Sequence, residues 1–170
     1  MILGMTTSTF TLVHVLISLV GIASGLVVVF GLLTGKRLDA WTALFLATTV
    51  ATSVTGFAFP FDHLLPAHKV GIISLVLLAF AILARYAFHL SGAWRRIYVI
   101  TAIAALYFNV FVAVVQSFMK IPALHALAPK QTEPPFLVTQ LVVLVLFIVI
   151  GIMAAKRFQD DPVRAAARAA

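Results

Sequence analysis

The sequence predicts an all-α integral membrane protein, a bundle of five transmembrane helices with the N-terminus outside and the C-terminus in the cytoplasm. Hydrophobic residues make up 63% of the 170 residues and charged residues only 10%, whereas soluble domains have about 45–50% and about 25%. The mean hydropathy is +1.14. A soluble fold would have to hide this apolar surface from water, so lipid is its expected solvent.

Five apolar stretches are long enough to cross about 30 Å of hydrocarbon, which takes about 20 helical residues. Turn-forming residues separate them: Gly35 after the first, Pro60 and Pro66 after the second, Gly92 after the third and four prolines before the fifth. Residues 1–158 therefore form one transmembrane domain, and residues 159–170 form a short basic cytoplasmic tail. The predicted spans are, in order, about residues 10–33, 41–59, 70–88, 97–118 and 136–155.

The positions of Lys and Arg predict the orientation. Nine of the 12 flank one surface of the predicted bundle and three flank the other. Cytoplasmic loops carry the excess of these residues in membrane proteins, so the surface with nine is predicted to face the cytoplasm. With an odd number of spans, the N-terminus then lies outside. The nine are Lys36, Arg37, Arg85, Arg95, Arg96, Lys156, Arg157, Arg164 and Arg168; the three are Lys69, Lys120 and Lys130.

The first predicted helix has one small and polar face. His14, Ser18, Gly21 and Gly25 lie within about 40° of one line when each residue turns the helix by about 100°. Two glycines four residues apart let a second helix approach closely. Helix packing is therefore the expected role of this face.

The fourth predicted helix has the most informative polar stripe. Asn109 lies near the middle of the bilayer, where a side-chain amide needs partners, so the stripe is expected to face other helices or a cavity. An interhelical hydrogen bond and a ligand contact would both satisfy the amide. Gln140, near the outer end of the fifth span, is a second candidate for ligand contact. The stripe consists of Tyr98, Ala102, Ala105, Asn109, Ala113, Gln116 and Lys120.

Histidines collect at one predicted surface. Imidazole nitrogens bind haem iron and transition metals, and His, Gln and Asn side chains hydrogen-bond to polar groups of ligands in apolar slots. An interfacial role without any ligand is the simpler interpretation, because imidazole is amphipathic. The histidines at or near the outer surface are His14, His63, His68 and His125.

Three ligands remain open for this outer surface. Haem b would be single and held by His14 and His68, because His89 alone lies near the inner surface and could not complete a second pair. A metal ion would be bound by His14, His63 and His68. The residues predicted to contact a haem or quinone are His14, His68, Asn109, Gln116 and Gln140.

Arg85 is the one full charge inside a predicted span, and it lies close to the inner end. A long cationic side chain near a helix end can extend to the interface. Arg85 and His89 are four residues apart and share a helix face, so they are predicted to bind a lipid phosphate.

Several functional classes are excluded or disfavoured. The chain has no cysteine, which rules out disulfides, thiolate metal sites and Cys-ligated iron–sulfur clusters. We find no phosphate-binding loop, zinc-protease motif or hydrolase nucleophile motif, and whether the protein is an enzyme stays open. The basic residues flank apolar spans instead of forming a patch with aromatics, so nucleic acid is not an expected partner.

Several short motifs resemble those of small, uncharacterised bacterial multi-pass membrane proteins. The resemblance covers most of the chain and implies no activity. It does imply a bacterial cytoplasmic membrane. The motifs are Thr55-Gly-Phe-Ala-Phe-Pro, His68-Lys-Val-Gly, Ala84-Arg-Tyr, Gln116-Ser-Phe and Glu133-Pro-Pro-Phe, together with Gln140.

The first functional hypothesis is a bundle that holds haem b, a metal ion or a quinone near its outer face and relays electrons or shuttles a quinone for a partner. The alternative is a non-catalytic membrane subunit or assembly factor, in which the polar stripes join helices and subunits. A small-solute permease is a third possibility. The expected partners are membrane lipids and either other membrane subunits or further copies of this chain.

Overall fold

A computed structural model describes residues 2, 4–60 and 66–158. The described chain is all-α, 83% helical and without strands, which confirms the predicted all-α class but not the five spans or the orientation. The helices are α1 (Thr7–Leu33), α2 (Asp39–Gly56), α3 (Pro66–Ile82), α4 (Ala93–Lys120), α5 (Pro122–Leu127) and α6 (Pro134–Arg157), and a π-helical turn (Leu83–Ala87) continues α3.

Within this part of the chain, four helices are long and apolar enough to cross a membrane: α1, α3 with its π turn, α4 and α6. Helix α2 is different. It has 18 residues and begins with Asp39. It also carries six hydroxyl side chains, which lower its hydropathy: Thr42, Thr48, Thr49, Thr52, Ser53 and Thr55.

The helix ends have local causes. The Thr6 hydroxyl accepts a hydrogen bond from the backbone N–H of Thr9 at 3.1 Å, so α1 begins earlier than predicted. Gly35 has a φ of +71°, and the Lys36 N–H next to it bonds to the Gly31 carbonyl at 2.8 Å. This left-handed glycine ends α1 as in a Schellman motif.

The second helix ends at Gly56, three residues before the predicted end at residue 59. The N–H groups of Phe57 and Ala58 bond to carbonyls only three residues back, each at 3.1 Å. Such bonds tighten the last turn of a helix, and Pro60 follows without an N–H that could extend it.

Helix α3 closes with a wider turn. The N–H of Phe88 bonds to the Leu83 carbonyl at 3.0 Å, and the N–H of Leu90 reaches back to the Ala84 carbonyl at 2.9 Å. His89 and Leu90 then have positive φ values of 49° and 58°. The predicted third span, residues 70–88, therefore ends in π-helical rather than α-helical geometry.

Helix α4 is the centre of the bundle, because it packs against α1, α2, α3 and α6. Helix α2 lies between α1 and α3. Gly25 makes the close approach of α1 possible: a Cβ there would lie 2.6 Å from Leu106 Cδ1 and 2.9 Å from Phe45 Cδ2. The predicted small face of α1 is thus where α2 and α4 meet it.

The bundle has two ends, which we name by their polar residues. The His14 end is where α1 and α3 begin and where α2 and α4 end. The Arg85 end is where α1 and the π turn end and where α2 and α4 begin. Neighbouring helices among these four therefore run antiparallel.

The polar stripe of α4 faces inward only along part of its length. Tyr98, Ala102 and Ala105 are buried, and Asn109 is half-buried. Gln116 and Lys120 are exposed. The stripe therefore opens to the surroundings toward the His14 end.

Candidate functional site

His14 lies on the face of α1 that meets α2. Its Nδ1 is 2.8 Å from the Thr55 hydroxyl oxygen. The Thr55 hydroxyl already donates its proton to the Ala51 carbonyl at 2.7 Å. Nδ1 of His14 must therefore be the donor in the His14–Thr55 bond. The neutral ring then keeps its Nε2 lone pair for a ligand.

A polar seam runs from His14 toward the centre of the bundle. Ser18 donates to the backbone carbonyl of His14 at 2.8 Å, and its hydroxyl oxygen lies 3.3 Å from that of Thr52. Farther along, the Asn109 amide of α4 donates to the Thr49 hydroxyl of α2 at 3.2 Å. The seam thus connects α1, α2 and α4 through side-chain hydrogen bonds.

Gln116 lies at about the depth of His14, although no bond joins them in the described structure. Gly25 meets Leu106, and Gly21 lies near Asn109, where a Cβ would be 3.6 Å from the amide nitrogen. Because α1 and α4 run antiparallel, this register brings position 116 to the level of position 14. Lys120 follows one turn later, and its charge acts on His14.

His68 lies on the other side of α2. It is buried at the start of α3, and its ring centroid is 5.4 Å from that of Phe57. Phe57 and Thr55 point about 200° apart around α2 at about 100° per residue. The structure therefore places His14 and His68 on opposite faces of α2, at similar depth.

Gln140 is at the α4–α6 contact. Its amide nitrogen donates to the Phe111 carbonyl at 3.2 Å. Its Oε1 is buried and has no hydrogen-bond partner among the described residues. An unsatisfied buried acceptor is uncommon, and a hydroxyl group of a ligand or a water molecule would satisfy it.

The predicted metal ligands are only partly described. His63 lies outside the described residues, as does the basic tail, 159–170. Within the residues that are described, no three His, Asp or Glu side chains are grouped closely enough to hold a metal ion. The three-histidine site therefore stays a prediction.

The Arg85 end has a second polar group of residues. The buried Arg85 guanidinium donates to the carboxylate of Asp39, an ion pair between the π turn and the first turn of α2. It also lies over the Tyr98 ring, 5.4 Å from the centroid. The Tyr98 hydroxyl in turn donates to Thr42 at 3.4 Å.

An open cavity of about 490 Å³ lies beside this ion pair. His89, predicted with Arg85 as a phosphate ligand, contributes to its lining, as do Arg37 and Asp39. Sequence reasoning did not assign either Arg37 or Asp39 to this site. The sequence signal for Asp39 was its place as the acidic residue in the first turn of α2, which begins at the same end of the bundle as Arg85.

The loop before α6 contains a further charge interaction. Desolvation raises the pKa of the Glu133 carboxyl, but N–H groups of Lys130 and Thr132 and the Lys130 charge outweigh it. The pKa therefore lies below its usual value of 4.5. The two N–H donors are 3.1 Å and 3.0 Å from the carboxylate oxygens. This carboxylate organises the loop at the His14 end.

Comparisons with protein-family models, with curated proteins and with solved structures found no match to this chain. Four of its helices are long and apolar enough to span a membrane, which suggests a multi-pass membrane protein.

Proposed function

We propose that α2 is a fifth span and that the His14 end faces outward. Helix α2 lies between α1 and α3, and a link of only five residues joins it to α1. Its 18 residues extend about 27 Å, close to the hydrocarbon thickness. Thr48 and Thr55 are masked from lipid because each donates to a carbonyl of the same helix at 2.7 Å. Thr42, Thr49 and Ser53 are buried inside the bundle.

The unequal distribution of cations supports this orientation. Among the described residues, Lys69, Lys120 and Lys130 are near the His14 end, whereas seven Lys and Arg residues are at the Arg85 end. By the positive-inside rule the Arg85 end and the C-terminus are cytoplasmic. The membrane that fits is the bacterial cytoplasmic membrane.

The protein's function, in this proposal, is to bind a quinol at the His14 end and present it to a redox partner. The observation that carries the proposal is the hydrogen bond from Nδ1–H of His14 to the Thr55 hydroxyl. This bond leaves Nε2 as an acceptor for a quinol hydroxyl. Gln116, level with His14 on α4, supplies a second polar contact. Phe59, 5.3 Å from the His14 ring, provides an apolar wall.

The chemistry that follows is proton acceptance at one atom. A quinol that loses two electrons to the partner's redox group also releases two protons. Nε2 of His14 takes the first proton and becomes part of an imidazolium, whose Nδ1–H bond to Thr55 remains intact. The nearby Lys120 charge favours release of that proton to the outer water, after which the neutral Nε2 accepts the second proton and releases it in the same way.

Extraction of the purified protein tests this proposal. We expect quinone in the organic extract of the wild-type protein and a large loss in His14→Ala. The matched control is His125→Ala, because His125 is exposed on α5 at the same end. Equal quinone in both variants would contradict the site, and a haem absorption band lost in His14→Ala would assign Nε2 to iron instead.

The alternative function is that of a non-catalytic subunit, and the exposed surface of α6 supports it. Few α6 residues are buried, and a groove of about 290 Å³ runs between α4 and α6 beside Gly151. A partner helix could pack there. A colourless, metal-free and quinone-free protein that still assembles into a larger membrane complex would support this function over the first.

A further inference from the structure

The cavity at the Arg85 end contains a buried cation whose counter-ion is exposed. The Arg85 side chain is only 7% exposed, whereas the side chain of its partner Asp39 is 81% exposed. A guanidinium stays charged under all ordinary conditions, so this one always needs an anion. An exposed carboxylate contributes little binding energy and exchanges readily with another anion.

The charges that line the cavity suit a phosphodiester. Arg37 and Arg85 carry two positive charges against the single negative charge of Asp39. The remaining positive charge matches the one negative charge of a phosphodiester. Asp39 accepts from only one terminal nitrogen of Arg85, while the guanidinium fork can hold two phosphate oxygens at once. His89, exposed at the rim, adds a further donor.

The surroundings of the cavity suit a lipid rather than a free anion. Tyr86, which lines the cavity, is 50% exposed, and Phe88 and Trp41, each next in sequence to a lining residue, are exposed as well. Trp94 stacks on Phe88 with ring centroids 3.8 Å apart. Tyr and Trp collect at the headgroup level of membrane proteins, so acyl chains can lie along these rings while the headgroup enters the cavity.

We propose that this cavity binds the phosphate of an anionic phospholipid and that Asp39 is an internal competitor that the phosphate displaces from Arg85. Arg85 and Tyr86 both belong to the π turn, where Arg85 is buried and Tyr86 is exposed. π-helical turns often mark functional sites. The site is independent of quinol binding at the His14 end.

Tryptophan fluorescence can report on this end of the bundle, because both tryptophans of the chain are there. Trp41 follows Ala40 of the cavity lining, and Trp94 stacks on Phe88. The full-length protein is reconstituted into vesicles of phosphatidylcholine and phosphatidylglycerol, with brominated acyl chains on one lipid at a time. Stronger quenching by brominated phosphatidylglycerol measures its preference for this end of the protein. We expect the wild-type protein to prefer phosphatidylglycerol.

The variants separate the site from general surface charge. Arg37→Gln should lower the preference about fivefold, as expected for one cation near an anionic lipid surface. Arg85→Lys keeps the charge but removes the fork and should lower it similarly. Asp39→Asn should raise it, because the competitor is gone. Arg96→Gln removes an exposed cation at the same end but outside the cavity, and should stay close to wild type.

Four results would overturn the proposal. They are equal quenching by the two lipids in the wild-type protein, equal losses in Arg37→Gln and Arg96→Gln, a lower preference in Asp39→Asn, and abolition of the preference by inorganic phosphate in the buffer. The last would assign the site to free phosphate. Arg37 is exposed, so its variant tests the site even if Arg85→Lys does not fold.

Discussion

At the scale of single residues, Thr55 determines which ring nitrogen of His14 carries the proton and which can accept a hydrogen bond from a ligand. Its hydroxyl donates within α2 and accepts from Nδ1 of His14 at 2.8 Å. Thr55→Val removes the acceptor and nearly preserves the side-chain volume, so the ring loses its fixed tautomer. By analogy with hydrogen bonds that orient metal-binding histidines, the quinone retained per protein should fall about tenfold or more.

Thr139→Val provides the comparison for this change. Thr139 is at the same end of the bundle, on α6, and among the described residues its hydroxyl bonds only to the Pro135 carbonyl of its own helix, at 2.8 Å. The two variants are extracted in the same way, and Thr139→Val should retain the wild-type amount of quinone. Equal retention in Thr55→Val and Thr139→Val would show that the His14 tautomer is irrelevant to binding.

The same scale shows where sequence reasoning reaches its limit. Helical periodicity and composition were enough to single out His14 and Asn109, because both depend on local spacing. The Arg85–Asp39 ion pair joins residues 46 positions apart, and no local pattern encodes that distance. The placement of His14 and His68 on opposite faces of α2 likewise depends on how three helices are arranged around one another.

At the scale of helices, Gly25 sets how closely α1 can approach its neighbours. A Cβ at this position would lie 2.6 Å from Leu106 Cδ1 and 2.9 Å from Phe45 Cδ2. Both contacts are shorter than a normal carbon–carbon contact, and Leu106 and Phe45 are themselves fully buried. Gly25→Ala should therefore lower the free energy of unfolding by about 1–3 kcal/mol, the usual cost of overpacking.

Gly151→Ala is the matched substitution in α6. Its new methyl group would have its nearest neighbour, Ile103 Cγ2, at 3.8 Å, which is an ordinary contact. Unfolding of both variants in mixed detergent micelles should show a loss for Gly25→Ala and none for Gly151→Ala. Similar values would mean that α1 does not approach α2 and α4 as closely as described.

The loop before α6 should depend on pH. The pKa of Glu133 is lower in the folded loop than its usual 4.5, so the carboxylate stabilises the loop at pH values above that usual value. This stabilisation is lost as the pH falls through the lowered pKa. Hydrogen-exchange protection of the Lys130 and Thr132 amides should decrease in acid. In Glu133→Gln it should be lower at neutral pH and change little with acidification.

Helices as a class were predictable, and their ends were less so. Long apolar stretches located α1, α3, α4 and α6, since a span of lipid requires many consecutive apolar residues. The end of α2 and the π turn after α3 were missed. Both depend on which carbonyl a particular N–H reaches, and hydropathy does not encode that choice.

At the scale of the whole molecule, the crossing of α2 determines which side the chain's polar sites face. If α2 crosses, Thr34 before it and Pro60 after it lie on opposite sides of the membrane. If α2 lies along one surface, they share a side. The chain has no cysteine, so an introduced cysteine is the only thiol, and all four positions chosen for labelling are exposed: Thr34, Pro60, Ser91 and Thr132.

Labelling of intact bacterial spheroplasts with a membrane-impermeant maleimide tests the whole topology. We expect Pro60→Cys and Thr132→Cys to react before lysis, because they mark the outward His14 end, and Thr34→Cys and Ser91→Cys to react only after lysis. The reverse pattern would turn the bundle over and move the quinol site to the cytoplasm. Labelling of Thr34→Cys and Pro60→Cys from the same side would exclude a fifth span.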